Sequence, residues 1–160
     1  MRVRFLPLML ASAAVFAGLW AAAQAIADPR IGTWKINLAK SRFNPGPSPR
    51  SMTVRFEPHG SNGYQVTIDT VEASGESWKH EYVANYDGKD YPVSGDPGRD
   101  TVALKKIDLY TLEYTNKRAG RVINSYREVI APDLKSRSIT QKGMSSRGVA
   151  VDNYIVYDKQ

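Results

Sequence analysis

Few side chains in this sequence are equipped for chemistry. There is no cysteine, which excludes disulfides, thiolate metal sites, a thiol nucleophile and a lipid-bearing cysteine at a mature N-terminus. The two histidines, His59 and His80, are too few for a multi-histidine metal centre. His80 stands among alternating aromatic residues, with Trp78 and Tyr82 two positions to either side. A histidine so placed can be a hydrogen-bonded core group, a pH sensor or a single ligand to haem iron. The first is the ordinary case, and no cofactor is expected. His59 sits in a turn and reads as solvent-exposed. Asp87/Asp90 and Asp96/Asp100 lack the ligand spacing of a calcium loop and read as turn formers, so no metal site is expected. No Gly-x-Ser-x-Gly elbow, His-Glu-x-x-His pair or phosphate-cradling loop occurs, and nothing pairs a nucleophile with a base. The sequence therefore nominates no catalytic residue. A barrel isomerase or cyclase would need His80 or Glu128 in a cavity with a perturbed pKa.

The elements that position these residues begin after an address. Residues 1–27 read as a secretory signal, with Arg2 and Arg4 ahead of an uncharged run from Phe5 to Ala23. Ala25-Ile26-Ala27 supplies the small-x-small site, and cleavage is expected after Ala27. A retained membrane anchor is the alternative. Either way the folded domain, residues 28–160, is expected in the periplasm or outside the cell. Without disulfides in an oxidising compartment, its stability must come from the core alone. The formal net charge of +6 loses two positive charges with the signal. No Lys/Arg run accompanies the remaining excess, which argues against nucleic acid as a partner.

Period-two alternation dominates from Trp34 onward. Trp34, Ile36 and Leu38 share one face, and a short helical turn is expected at Leu38–Phe43. Asn44-Pro45-Gly46-Pro47-Ser48-Pro49 then interrupts any regular structure. Met52, Val54 and Phe56 face inward on the next strand. Asn62-Gly63 marks a hairpin, followed by the inward set Tyr64, Val66 and Ile68. A further inward set is Trp78, His80, Tyr82, Ala84 and Tyr86, with Asp87-Gly88 as the next turn. Lys89–Gly95, Thr101–Asp108, Thr111–Lys117, Arg121–Ile130, Leu134–Lys142 and Val151–Lys159 are each read as extended, with Gly143–Gly148 as a link. The fold class is all-β: a single-domain antiparallel up-and-down meander of 8–10 strands. Closure into a barrel is favoured over a sandwich because it removes the edge strands. A membrane-spanning barrel is disfavoured, since Lys35, Arg55, Glu57, Lys79 and Glu81 fall on the outward faces.

Gly32-Thr33-Trp34-Lys35 resembles the Gly-x-Trp opening of the calycins, which include the lipocalins and fatty-acid-binding proteins. The tail Tyr157-Asp158-Lys159-Gln160 is similar to the last strand of the fatty-acid-binding branch. Ile31–Phe43 and Asn85–Leu104 resemble exported bacterial proteins described as lipocalin-like. The likeness implies a closed barrel with a ligand lumen, and it implies that Trp34 packs across the barrel floor. It departs from the fatty-acid-binding branch at Ile155-Val156-Tyr157. There the family's Arg-x-Tyr keeps its tyrosine and loses its arginine, so capture of an anionic head group by that device is not expected. Leu38 to Arg50 is also too short for a two-helix lid.

The strands at Arg121–Ile130 and Leu134–Lys142 have no wholly apolar face. Val122, Asn124, Tyr126 and Glu128 alternate with Ile123, Ser125, Arg127 and Val129. Leu134, Ser136, Ser138 and Thr140 alternate with Lys135, Arg137, Ile139 and Gln141. A solid core would not accept such polar groups without partners, whereas a lumen holding water and a guest would. The reading is thus a monomeric exported barrel that binds a small apolar or amphiphilic molecule. The ligand-binding residues expected are Met52, Val54, Phe56, Tyr64, Val66, Ile68, Trp78, His80, Tyr82, Tyr126, Ile155 and Tyr157. Two rivals use other features. An inhibitor or envelope-contacting module would work through the loops Asn44–Arg50 and Asp96–Asp100, and a barrel enzyme through His80 or Glu128.

Overall fold

A computed structural model describes residues 28–144 and 148–160. The expected signal, residues 1–27, and the centre of the Gly143–Gly148 link lie outside the described residues. Ten strands follow one another along the chain: β1 Gly32–Ile36, β2 Ser51–Pro58, β3 Gly63–Val71, β4 Ser77–Asn85 and β5 Asp87–Ser94, then β6 Thr101–Lys106, β7 Thr111–Arg118, β8 Arg121–Ile130, β9 Ser136–Met144 and β10 Ala150–Lys159. Each pairs antiparallel with its sequence neighbours, and β1 pairs with β10, so the sheet closes into an up-and-down barrel. Among the described residues, closure leaves no edge strand for unwanted pairing.

The alternation of the sequence becomes an inside and an outside. Val54 and Phe56 on β2, Tyr64 and Val66 on β3, and Tyr82 and Ala84 on β4 are buried, while Arg55, Gln65 and Val83 between them are exposed. The register keeps these sets level, with Val54 opposite Ile68 and Phe56 opposite Val66. The β2–β3, β4–β5, β6–β7 and β8–β9 connections lie at one end, which we call the floor. The β1–β2, β3–β4, β5–β6 and β7–β8 connections surround the mouth.

The segment 28–31 seals the floor. Trp34 is fully buried there and donates its Nε1–H to the Arg30 carbonyl at 2.8 Å. Asp28 is held from three sides. Its Oδ1 accepts from the Arg30 backbone N–H at 3.0 Å, and its Oδ2 accepts from the Tyr86 hydroxyl and Lys106 Nζ, each at 3.0 Å. An edge-to-face chain of Phe56, Tyr64 and Tyr86 rings fills the space above.

Two local departures from strict alternation matter. Leu38 does not continue the inward face of β1. Asn37 caps a single 3-10 turn at Leu38–Lys40, its side chain accepting from the Lys40 N–H at 3.1 Å, and Leu38 turns outward. On β8 the pairing with β7 slips between Asn116 and Lys117, so that Asn116 faces Asn124 and Lys117 faces Val122. The extra residue, Ile123, is a β-bulge. Val122 is therefore outward and exposed rather than level with Asn124 and Tyr126. Gly143 on β9 makes room for the bulge: a Cβ there would lie 2.2 Å from the Ile123 carbonyl oxygen.

Candidate functional site

The barrel encloses a cavity of about 350 Å³ that reaches Glu72, Asp96 and Gly98 at the mouth. Its walls differ in character. Met52, Val54 and Phe56 from β2 and Ile68 from β3 form an apolar side, continued by Ile155 and Tyr157 on β10. Asn116 on β7, Asn124 and Tyr126 on β8, and Gln141 on β9 bring polar groups to the opposite side, interspersed with Leu112, Tyr114, Ile123 and Ile139 from the same strands. The strands whose faces both looked mixed in sequence are those of the polar side. The bulge brings Ile123 to the cavity beside Asn124, and on β9 the inward set is Arg137, Ile139 and Gln141.

At the mouth end, His80 on β4 meets the β5–β6 connection. His80 Nδ1 lies 3.0 Å from Asp96 Oδ2, while Asp96 Oδ1 accepts the Gly98 backbone N–H at 2.7 Å. Arg99 Nε stands 2.8 Å from Asp96 Oδ2 as an ion-pair contact, and Arg99 Nη1 donates to Asn116 Oδ1 at 2.8 Å. Burial opposes ionisation of Asp96. The hydrogen bond from His80, the charge of Arg99 and the Gly98 N–H outweigh it and hold the carboxyl below the usual aspartate range. The loop reaches β4 because residue 95 is glycine. Gly95 has φ +75°, and a Cβ there would lie 2.0 Å from the Lys79 carbonyl oxygen. The His80 side chain borders the cavity, while its Nε2 is buried and has no hydrogen-bond partner.

From Arg99 a chain of amides crosses the polar wall. Asn116 Nδ2 donates to the Tyr126 hydroxyl at 3.2 Å, and Gln141 Nε2 donates to the same oxygen at 3.0 Å. Asn153 Nδ2 donates to Gln141 Oε1 at 2.8 Å, and Asn153 Oδ1 accepts the Asn44 backbone N–H at 2.8 Å. Burial pushes the Tyr82, Tyr126 and Tyr157 hydroxyls up to about 12. These phenols stay protonated wherever the barrel is folded near neutrality. The Tyr114 and Tyr126 rings stack at 4.4 Å, which fixes the Tyr126 ring in place.

At the bottom of the cavity, where Glu128 and Arg137 belong to its lining, a second charged group joins floor to wall. Glu128 Oε1 accepts from Arg30 Nε at 2.9 Å and its Oε2 accepts from Arg137 Nη1 at 2.7 Å; all three side chains are almost wholly buried. Arg30 Nη1 also donates to the Leu109 carbonyl at 2.9 Å. The Arg137 guanidinium lies over the rings of Tyr157, Phe56 and Trp34, at 4.5, 4.7 and 5.3 Å from their centroids. Cation–π attraction of this kind is strongest where water is excluded.

Of the residues expected from sequence to bind a ligand, Met52, Val54, Phe56, Ile68, His80 and Tyr82 border the cavity, as do Tyr126, Ile155 and Tyr157. Tyr64 and Val66 are buried in the packed lower core, and Trp78 is half-buried on β4 away from the cavity lining. The aspartates read from sequence as turn formers have separate duties, and Asp87 and Asp90 lie on β5 rather than in a turn. Asp87 accepts from the Tyr91 hydroxyl, Asp90 pairs with Lys117 and Asp100 caps the Ala119 N–H, while Asp96 alone reaches the lumen. Arg30, Asp96 and Arg99 were not among the expected site residues. For Asp96 and Arg99 the available signal was the Gly95-Asp96-Pro97-Gly98 turn, which fixes where the loop bends but not which strand it leans on.

Fold and site together define a closed ten-stranded antiparallel β-barrel holding a cavity of divided polarity. No protein-family model matches the chain, and no curated protein matches it.

Proposed function

We propose that this barrel is an exported carrier of the lipocalin-like kind, which holds a small amphiphilic molecule in its lumen. The observation that carries the reading is the division of a 350 Å³ cavity into an apolar and a polar wall. That size falls within the range of small-molecule sites. A guest with an apolar body and one polar end would match both walls. Apolar area withdrawn from water contributes about 25 cal/mol per Å², less the ordering cost of association. Kinship with the calycins is supported by Gly32-Thr33-Trp34 opening the first strand, with Trp34 at the sealed end. Export is supported by the signal-like character of residues 1–27 in the sequence.

Native mass spectrometry of the purified protein tests the proposal. A lipid-like adduct, or uptake of an added amphiphile in one-to-one ratio, is the expected result. A clean unliganded spectrum that no amphiphile alters would refute it.

A further inference from the structure

The side-chain amides on β7 to β10 are oriented by their neighbours, and the orientation leaves protons over rather than oxygens. Arg99 is a donor only, so Asn116 gives its oxygen to Arg99 at 2.8 Å and its nitrogen to the Tyr126 hydroxyl at 3.2 Å. At the far end the Asn44 backbone N–H is likewise a donor only. It sets Asn153 with its oxygen toward Asn44 and its nitrogen toward Gln141 Oε1, each at 2.8 Å. Gln141 then presents its own nitrogen, 3.0 Å from the Tyr126 hydroxyl and 3.4 Å from Asn124 Oδ1. The oxygens of Asn116, Asn124, Gln141 and Asn153 are thus each met by a protein donor. A tyrosine hydroxyl has two acceptor lone pairs and one proton. Both lone pairs of Tyr126 are used, and its proton is left to be given.

A second donor stands beside it. Asn124 and Tyr126 are two positions apart on β8 and both line the cavity. The two side chains meet at one atom, Gln141 Nε2, within the distances just given. With its oxygen turned to Gln141, Asn124 has its Nδ2 left over. Among the described residues, neither that nitrogen nor the Tyr126 proton has a protein acceptor, and Asn124 Nδ2 keeps accessible surface where His80 Nε2 does not. Tyr126 is only partly buried although its side chain lines the interior. One O–H and one N–H are therefore offered to the lumen from adjacent inward positions of a single strand.

Two neighbouring donors ask for one oxygen with two lone pairs and no proton of its own. A carbonyl is such a group. An alcohol accepts as well, but its proton then needs a lone pair at a point where the amide oxygens and the Tyr126 oxygen are already engaged. A carboxylate would enter a lumen lined by Glu72, Asp96 and Glu128. The arginines in that lining, Arg99 and Arg137, are already paired with Asp96 and Glu128. We propose that the lumen selects neutral amphiphiles ending in a ketone or ester carbonyl, whose oxygen accepts from both the Tyr126 hydroxyl and Asn124 Nδ2. The apolar body then lies toward Met52, Ile68 and Ile155. This inference rests on the carrier reading and specifies the polar end of the guest.

The test compares three probes of equal chain length by calorimetric titration near neutral pH: 2-nonanone, 2-nonanol and nonanoate. The ketone is expected to bind about fivefold more tightly than the alcohol, the worth of one hydrogen bond left unmade, and more tightly than the carboxylate. Infrared difference spectra of carbonyl-13C against unlabelled 2-nonanone read the site directly. The bound carbonyl stretch should lie below its frequency in hexane, and Tyr126→Phe should return it part of the way and lower ketone affinity severalfold. Equal affinity for ketone and alcohol, tighter binding of nonanoate, or a carbonyl band at its hexane position would overturn the inference and leave the carrier reading standing. Failure of all three probes to bind would remove both readings together. The wild-type titrations and spectra need no variant, so a poorly folding substitution does not stand in the way.

Discussion

Two of the buried groups in which one acid sits between two bases differ in what they leave over. At the floor, Glu128 takes Arg30 on one oxygen and Arg137 on the other, and aromatic rings cover Arg137. At the mouth, Asp96 takes His80 and Arg99 on one oxygen and its own loop on the other. Both bases at the floor are guanidiniums, which keep their charge at any pH the protein meets. One base at the mouth is an imidazole, whose second nitrogen is buried without a hydrogen-bond partner. The same charge pattern joins its acid to two guanidiniums in one place, and in the other to one guanidinium and an imidazole with a buried nitrogen left unpaired.

The sharpest way to break this comparison is to remove the acid from each group. Glu128→Gln leaves Arg137 buried without its anion and Arg30 with only the longer contact to Asp28, 3.4 Å. Loss of one partner from a buried ion pair costs about 3–5 kcal/mol. Urea denaturation should therefore show a large loss of stability, or no folded barrel. A shift within about 0.5 kcal/mol, as for ordinary surface changes, would mean that the floor group does not hold the barrel shut. Asp96→Asn should cost less, about 1–2 kcal/mol, because Arg99 keeps Asn116 and the loop stays short.

Acid sharpens the contrast more gently. Asp28 at the floor and Asp96 at the mouth both stand below the usual aspartate pKa. Burial opposes ionisation in each, and it is outweighed by the Arg30 backbone N–H and Lys106 for Asp28, and by His80 and Arg99 for Asp96. A carboxyl whose folded pKa is depressed binds its proton more weakly when folded than when unfolded. Its contribution is present above the unfolded value of about 3.9 and is lost as pH falls through the lower folded value. Urea midpoints should thus decline below about pH 4, and Asp28→Asn or Asp96→Asn should each flatten that decline. An unchanged acid slope in both variants would contradict the hydrogen-bonding described for them.

The legible and illegible parts of this molecule divide along the same lines. Alternation in β2, β3 and β4 exposed the apolar wall, because a half-buried strand repeats every two residues. The polar wall was visible as strands with no apolar face, although sequence could not say which face turned in. The bulge at Ile123 settles that on β8, and bulges leave only a weak mark in a single sequence. The turn reading of Asp96 accounts for its Oδ1, which caps Gly98, but says nothing of Oδ2, which holds His80. That pairing depends on Gly95 letting the loop press against β4. Arg30 and Glu128 lie 98 positions apart and meet only because the last strands close onto the first. No local pattern announces a contact made by closure.

The central claim is that a guest enters the lumen, and methyl NMR tests it most directly. Met52, Ile68, Ile123, Ile139 and Ile155 face the cavity, whereas Leu38, Val83 and Val122 face solvent. On titration with 2-nonanone, the first group of methyl resonances should shift together and saturate at one equivalent, while the second stays still. Movement of the outer methyls with the inner ones unmoved would contradict the account.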